Sequence, residues 1–469
     1  MSFAAPAASC PSCQAWTNAP TASASQSRTE PVQRVRIVLF YDGTFNNKFN
    51  TAARQRGGSA RAGQASYAND VSNVARMSEK LVPAGGYRGK AYDVVIPIYI
   101  EGIGTTTGGD DSVKTGGAFG TGGTGVLEKV ESGFSKALER LMKRPASIPF
   151  EFIHFDTFGF SRGAAAARNA VHRILNGRSK PMGRTIVNLP GARKKLTDAG
   201  RKVSDLKIRF VGLYDTVASY GWDHDNDTRE LRLDSISAAD QVVHLAAADE
   251  HRYNFRLTNT SSNRGGNSFE LFLPGGHSDI GGGYNDGAVA HFVVWKDSVN
   301  RFASTAGLER RQANELAWLR GQGWFTGGGN RLTTTDVTGV INREFSIIGR
   351  QSTALNQYCF IPLNIMGRRA SEQDLNFSNL NRVTGNELLG VQSGLRLYEN
   401  ARRHASSPFD WFHQTSSRYL ADLPGLRSRH LHFTSYFKDL GDPTWVDDLL
   451  SPMRPNYVNG RRERVIQNG

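Results

Sequence analysis

The sequence predicts an α/β protein with a mostly parallel sheet covered by helices on both faces. Three observations lead there. Apolar runs of strand length alternate with helical patterns over residues 31–285, the turns between them are short, and 50 Gly supply many tight bends. Such sheets place their functional groups at the carboxyl ends of the strands.

Val35–Tyr41 reads as the first strand and ends in Asp42-Gly43-Thr44. A polar loop follows, then a helix from Asp70 through Val74, Met77 and Leu81 at helical spacing. Val94–Ile100 is the next strand, and Pro97 suits an edge or a bulge. A glycine-crowded loop, Gly102 to Gly125, leads into a helix over Val126–Leu141. The strand beginning Phe150–Phe155 runs to Gly159-Phe160-Ser161-Arg162-Gly163, and an Ala-rich helix over Ala164–Ile174 comes next. Leu206–Leu213 is another strand, ending at Tyr214-Asp215-Thr216. Val242 to Glu250 reads as helical, and Phe269–Leu273 as the last core strand, running into Pro274-Gly275-Gly276-His277.

Beyond Tyr284 the pattern is weaker. Ala288 to Phe302 reads as an amphipathic helix with Val289, Phe292, Val293 and Trp295 apolar, and Gly323 to Ser352 as turn-rich. Phe360–Leu363 and Leu431–Phe437 are further apolar patches. The expected organisation is a mobile tail over 1–30, a catalytic core over 31–285, and a C-terminal elaboration over 286–469. That last part would supply a lid and a closing strand packed on the core.

Composition narrows the function. The 469 residues carry a formal charge of +14, scattered along the chain rather than gathered in one block. Such a surface collects at anionic lipid headgroups and binds nucleic acid non-specifically, but no nucleic-acid-reading motif is present, so no specific nucleic acid is expected. No apolar run is long enough to span a bilayer, and the N-terminus does not read as a signal peptide. Cys10, Cys13 and Cys359 are too few to staple a fold of this size, and although Cys10 and Cys13 have zinc-knuckle spacing, no second ligand pair follows at a suitable distance, so no metal site is expected.

Gly159-Phe160-Ser161-Arg162-Gly163 sits where a strand meets a helix, the context of a nucleophile elbow. By frequency alone a chain this rich in Gly shows G-x-S-x-G about one time in three, so the context carries the inference. A hydroxyl becomes an effective nucleophile only when exposed beside a base, with donors aimed at the oxygen that acquires charge. The order Ser161, Asp215, His277 is that of an α/β-hydrolase triad: His277 as base, Asp215 fixing its tautomer. The alternative readings are a turn aspartate and an ordinary loop histidine, one of 11. Asp42, Ser161, Asp215 and His277 all fall just past strand ends, which favours a shared site. The oxyanion donors are expected from the backbone of Arg162 and of Gly43 or Thr44. Gly159, Gly163, Asp42 and Asp279 are read as loop-shaping.

Two patterns are set aside. Gly120–Gly125 matches G-x-G-x-x-G, but a long loop separates it from the preceding strand, so nucleotide binding is not expected. Asp223, Asp225, Asp227 and Asp234 have calcium-loop spacing, but Thr228 stands where the turn needs glycine. No cofactor or metal is required by this reading, and calcium is unsupported.

Four motifs together resemble a known family: Tyr41–Asn47, Gly159–Ala164, Tyr214–Val217 and His277–Tyr284 are similar to the catalytic domain of class-one type VI secretion lipase effectors. Tyr99–Thr105, Ala248–Arg252 and Ile361–Met366 add to the likeness, which is dense from Val32 to Tyr284. The resemblance implies an α/β-hydrolase fold with the triad at Ser161, Asp215 and His277. It also implies phospholipase A activity on bacterial membrane phospholipids. Expected partners are then those lipids, a type VI spike or tube protein, and an immunity protein. The protein would be made in the bacterial cytoplasm and secreted into the target-cell periplasm.

Overall fold

The computed structural model describes residues 31–57, 64–112, 122–182, 185–218, 228–287, 290–351, 355–402, 407–437, 455–459 and 461–469. The tail with Cys10 and Cys13, and Asp223, Asp225 and Asp227, lie outside the described residues.

Six strands form the main sheet: β1 (Gln33–Tyr41), β2 (Val94–Ile100), β3 (Phe150–Phe160), β4 (Val203–Tyr214), β5 (Ala239–Ala247) and β6 (Ser268–Leu273). Their order is β6-β5-β4-β3-β1-β2, and every pairing is parallel. Pro97 therefore sits on an edge strand, where a missing N–H costs least. The interior strands are buried on both faces, as β1 and β3 are along nearly their whole length.

On one face α2 (Val126–Met142) and α3 (Arg162–Leu175) pack through Val130, Phe134, Ala167 and Ile174 onto Ile37, Phe155 and Val211. The other face meets α1 (Asn73–Lys80), α4 (Phe360–Ser371), α5 (Asn386–Ala401) and α6 (Pro408–Tyr419). Phe210, Leu245 and Leu271 there share one apolar cluster with Met77, Met366, Leu395 and Phe412. The helix expected from Asp70 begins at Asn73, because the Ser72 side chain accepts from the Ala75 amide and caps it there.

Several expectations beyond the elbow were wrong. Val242–Glu250 is not helical: Val242–Ala247 lie in β5, between β4 and the edge strand β6, and Ala248–Glu250 form the turn that follows. A strand buried on both faces shows no period of two, and its three alanines imitate helix composition. Of the stretch expected as a helix over Ala288–Phe302, Ala290–Asn300 is also a strand, β7, broken by a register shift between Val293 and Trp295 that scrambles its alternation; Ala288 and Val289 lie outside the described residues. The turn-rich stretch holds β8 (Arg331–Thr338) and β9 (Asn342–Gln351), antiparallel in the order β7-β9-β8. The patch at Phe360 opens α4, where Pro362 is tolerated in the first turn. The 431–437 segment is no closing strand; it runs beside the sheet rim with a single bridge, Val293 to Phe437.

Candidate active site

The parallel register decides which residues meet. Tyr41 pairs with Gly159, Phe160 with Tyr214, Tyr214 with Leu245, and Ala247 with Leu273. The residues just beyond these positions therefore emerge along one rim: Asp42, Ser161, Asp215, Asp249 and the 274–281 loop.

Ser161 opens α3 with φ 60 and ψ −130, a backbone region that L-residues avoid at a cost of about 1–3 kcal/mol. The strand must reverse sharply into the helix there. A Cβ on Gly159 would stand 2.2 Å from the Gly163 carbonyl oxygen, and one on Gly163 would stand 2.2 Å from that of Asp42. Only hydrogen fits at either place. The Ser161 amide donates to the Tyr214 carbonyl at 3.0 Å, and the Val217 amide donates to the Ser161 carbonyl at 3.3 Å. The turn carrying Ser161 and the turn carrying Asp215 are thus bonded back to back.

Asp215 is fully buried with φ 41. Its amide donates to the Leu245 carbonyl at 2.8 Å. The Thr216 amide donates to His244 Nε2 at 3.1 Å, and His244 Nδ1 lies 2.7 Å from Glu270 Oε1. Asp215 Oδ1 accepts from the Ala247 amide at 2.9 Å and from Arg464 Nη2 at 2.7 Å. Oδ2 lies 2.6 Å from His277 Nδ1. An ionised carboxylate only accepts, so neutral His277 carries its proton on Nδ1 and presents the lone pair of Nε2. Burial pushes the Asp215 carboxyl up, but the Arg464 guanidinium, then the His277 ring, outweigh it and hold the group below its ordinary range. Burial lowers the imidazole's affinity for a proton more than Asp215 raises it, so His277 titrates below its usual value.

The His277 loop is anchored by acids. The His277 amide donates to Glu250 Oε2 at 3.0 Å, and Arg252 grips the same carboxylate at 2.7 Å. Burial opposes ionisation of Glu250, but Arg252 overrides it and holds the group far below the carboxylate range. Asp279 Oδ2 accepts from the Gly276 and His432 amides, and its Oδ1 lies 2.6 Å from His432 Nδ1. The imidazole of His277 packs against Phe160 (centroids 4.5 Å apart) and edge-on to Phe255 at 4.9 Å.

Beside the elbow, Asp42 organises the β1 loop. It accepts from the Gly43 amide at 2.8 Å, Ser72 Oγ at 2.5 Å and Tyr99 Oη at 2.6 Å. Burial pushes its carboxyl up against the pull of those donors. Arg162 Nε donates to Thr44 Oγ1 at 2.9 Å, which ties the two loops together. Burial lowers the Arg162 guanidinium to about 10.

Among the described residues no group of three or more His, Cys, Asp or Glu is placed to hold a metal ion, and no helix is long and apolar enough to cross a membrane. The glycine pattern ends in a short turn, Gly122–Thr124, with its first residues outside the described ones. Sequence reasoning missed the supporting residues. Glu250 and Arg252 had a signal, in the segment Ala248–Arg252; Arg464 had none, being one of 57 basic residues.

Residues 176–319 match the sequence family described as "T6SS, Phospholipase effector Tle1-like, catalytic domain". That span holds Asp215 and His277 and leaves out Ser161. No curated protein matches the chain. Among solved structures, the Tle1 effector bound to the VgrG spike of the type 6 secretion system is similar over 94% of this chain and 94% of that one. The TM-score is 0.58 at 21% identity, a likeness of fold. An uncharacterized protein from Pseudomonas aeruginosa aligns over 84% of this chain and 53% of its own with TM-score 0.38 and 17% identity, too weak to carry an argument. The resemblance read from the sequence to type VI lipase effectors, and the α/β fold that it implies, stand on these findings.

Proposed function

We propose that this protein is a type VI secretion phospholipase that cleaves ester bonds of bacterial membrane phospholipids through Ser161, His277 and Asp215. The observation that carries the reading is the 2.6 Å contact between His277 Nδ1 and a buried, ionised Asp215, on a turn bonded directly to the Ser161 elbow.

In the reaction, Ser161 Oγ attacks the ester carbonyl carbon while His277 Nε2 takes its proton. Asp215 stabilises the imidazolium. The tetrahedral oxyanion is held by backbone N–H groups of Arg162 and of the β1 loop. Gly43 already gives its amide to Asp42, so Thr44 is the better second donor. As the intermediate collapses, His277 returns the proton to the departing lysolipid oxygen, leaving an acyl-Ser161. Water, deprotonated by His277, then releases the fatty acid and restores the serine. No cofactor enters these steps. The basic surface favours anionic membranes.

The fold likeness to an effector seen on its spike supports delivery on a spike protein into the target-cell periplasm, where an immunity protein would protect the producer's kin. Incubation with vesicles of defined phospholipids tests the enzymatic reading. Wild type should release fatty acid and lysolipid, and Ser161→Ala neither. Cleavage confined to short soluble esters would favour a carboxylesterase or thioesterase, and no cleavage of any ester would favour an inactive binding module.

A further inference from the structure

Arg464 lies 249 residues beyond Asp215 in sequence, yet its side chain is 1% exposed and its Nη2 stands 2.7 Å from Asp215 Oδ1. Three features suit this contact to more than packing. First, the carboxylate is divided between two functions: Oδ2 faces His277, while Oδ1 takes Arg464 and the Ala247 amide. Both oxygens are thereby fixed, so the acid cannot rotate away from the imidazole. Second, Arg464 Nη1 donates to the Phe255 carbonyl, and the Phe255 ring packs against His277, centroids 4.9 Å apart and planes near perpendicular. One guanidinium thus holds both the partner and an aromatic neighbour of the imidazole, as a planar fork can and a lysine cannot. Third, the segment bearing it is stitched in place. The Leu257 amide donates to the Val465 carbonyl and the Asn259 amide to that of Gln467, each at 2.9 Å. The Thr258 amide donates to the Thr216 carbonyl, also at 2.9 Å, so 464–467 joins the Asp215 turn through one intervening strand.

We infer that Arg464 is a positioning residue for the proposed ester hydrolysis: it orients the Asp215 carboxylate, so that His277 stays correctly turned at the moment it must accept the serine proton. This rests on the triad reading above. No step of the chemistry passes through Arg464 itself.

The charge logic fixes the sign of its effect. A fixed cation beside Asp215 disfavours a proton anywhere on the Asp215–His277 pair. Removing it makes that proton easier to bind, so the acid limb of kcat/KM moves to higher pH. A residue serving packing alone would leave the limb in place.

The test uses the full chain and a soluble chromogenic ester, with Arg464→Met, Arg464→Lys, Asp215→Asn and the double variant Arg464→Met/Asp215→Asn. Arg464→Met should lose about 10- to 100-fold in kcat, the scale of loss when an outer partner that orients a metal ligand is removed, with KM little changed. Its acid limb should move upward. Arg464→Lys, which keeps the charge and loses the fork, should recover the limb but not the full rate. In the Asp215→Asn background Arg464→Met should cost nothing further. Additive losses, or an unmoved acid limb in a folded Arg464→Met, would overturn the inference. Should Arg464→Met fail to fold, the Lys variant decides: an unchanged kcat there would overturn it equally. If Asp215→Asn itself keeps full activity, the triad reading has failed instead; if it is inactive while Arg464→Met matches wild type, only this inference has.

Discussion

The sheet rim and the C-terminal part of the chain contribute to the site in opposite ways. The rim, built from β1 to β6, supplies every group proposed to react. The C-terminal part supplies none of them, yet four acids of the rim each take a partner from it. Asp215 takes Arg464, Asp249 takes Arg427, Glu250 takes Thr434, and Asp279 takes His432. The contrast teaches that chemistry and its support obey different rules. Reacting groups sit at strand ends because the parallel register brings those turns together along one rim. The groups that fix them can come from any segment that packs above.

The same division explains what the sequence disclosed. Asp42, Ser161, Asp215 and His277 announce themselves because each follows an apolar run, and all but Asp215 sit beside glycines, a pattern that is local in the chain. The places of β1 to β4 along the chain were legible for the same reason. β5 was not, since burial on both faces erases periodicity, and β7 was not, since a register shift at Val293 and Trp295 breaks alternation. Arg464 was invisible on principle: an arginine's partner 249 residues away is a property of tertiary packing alone.

The sharpest way to break the comparison is at Ser161. Ser161→Ala should lose lipid hydrolysis by about 10⁴-fold or more while melting as wild type does. Ser161→Gly should be equally inactive but more stable, by about 1 kcal/mol, because glycine relieves the positive φ. Retained hydrolysis in either variant would move the chemistry off the elbow. Gly163→Val should lose at least about 3 kcal/mol or fail to fold, since its side chain would enter the backbone of the β1 turn. Chemical denaturation reads that loss.

The supporting half predicts stability effects. Burial opposes ionisation of Asp249, but Arg427 holds its carboxyl below the ordinary value. Arg427→Met, which strands that buried charge, should cost about 3–5 kcal/mol in urea unfolding at pH 7. Because the folded-state pKa values of Asp215, Asp249 and Glu250 are all depressed, their stabilisation is present above the unfolded values of 3.8 and 4.5 and is lost as pH falls through the folded ones. Melting temperature should therefore drop steeply on acidification below about pH 4.5 in wild type, and less steeply in Arg427→Met. A parallel decline in both proteins would separate Arg427 from the acid sensitivity.

A smaller effect is expected on the rate profile. His277 titrates below its ordinary 6.5 and must be neutral to act as base, so kcat/KM should stay flat down to that pH and fall only at lower values. A midpoint above 6.5 would mean that the imidazole is less buried or more strongly paired than its surroundings indicate. Smallest of all, His432→Ala should cost about 1 kcal/mol, since Asp279 keeps its two backbone donors.

The most direct test of the central claim is covalent trapping: treatment with a fluorophosphonate, followed by peptide mass spectrometry to locate the adduct. One adduct is expected, on Ser161, formed rapidly by wild type and slowly or not at all by His277→Ala. An adduct on a different residue, or none at all in a preparation that still cleaves phospholipid, would contradict it.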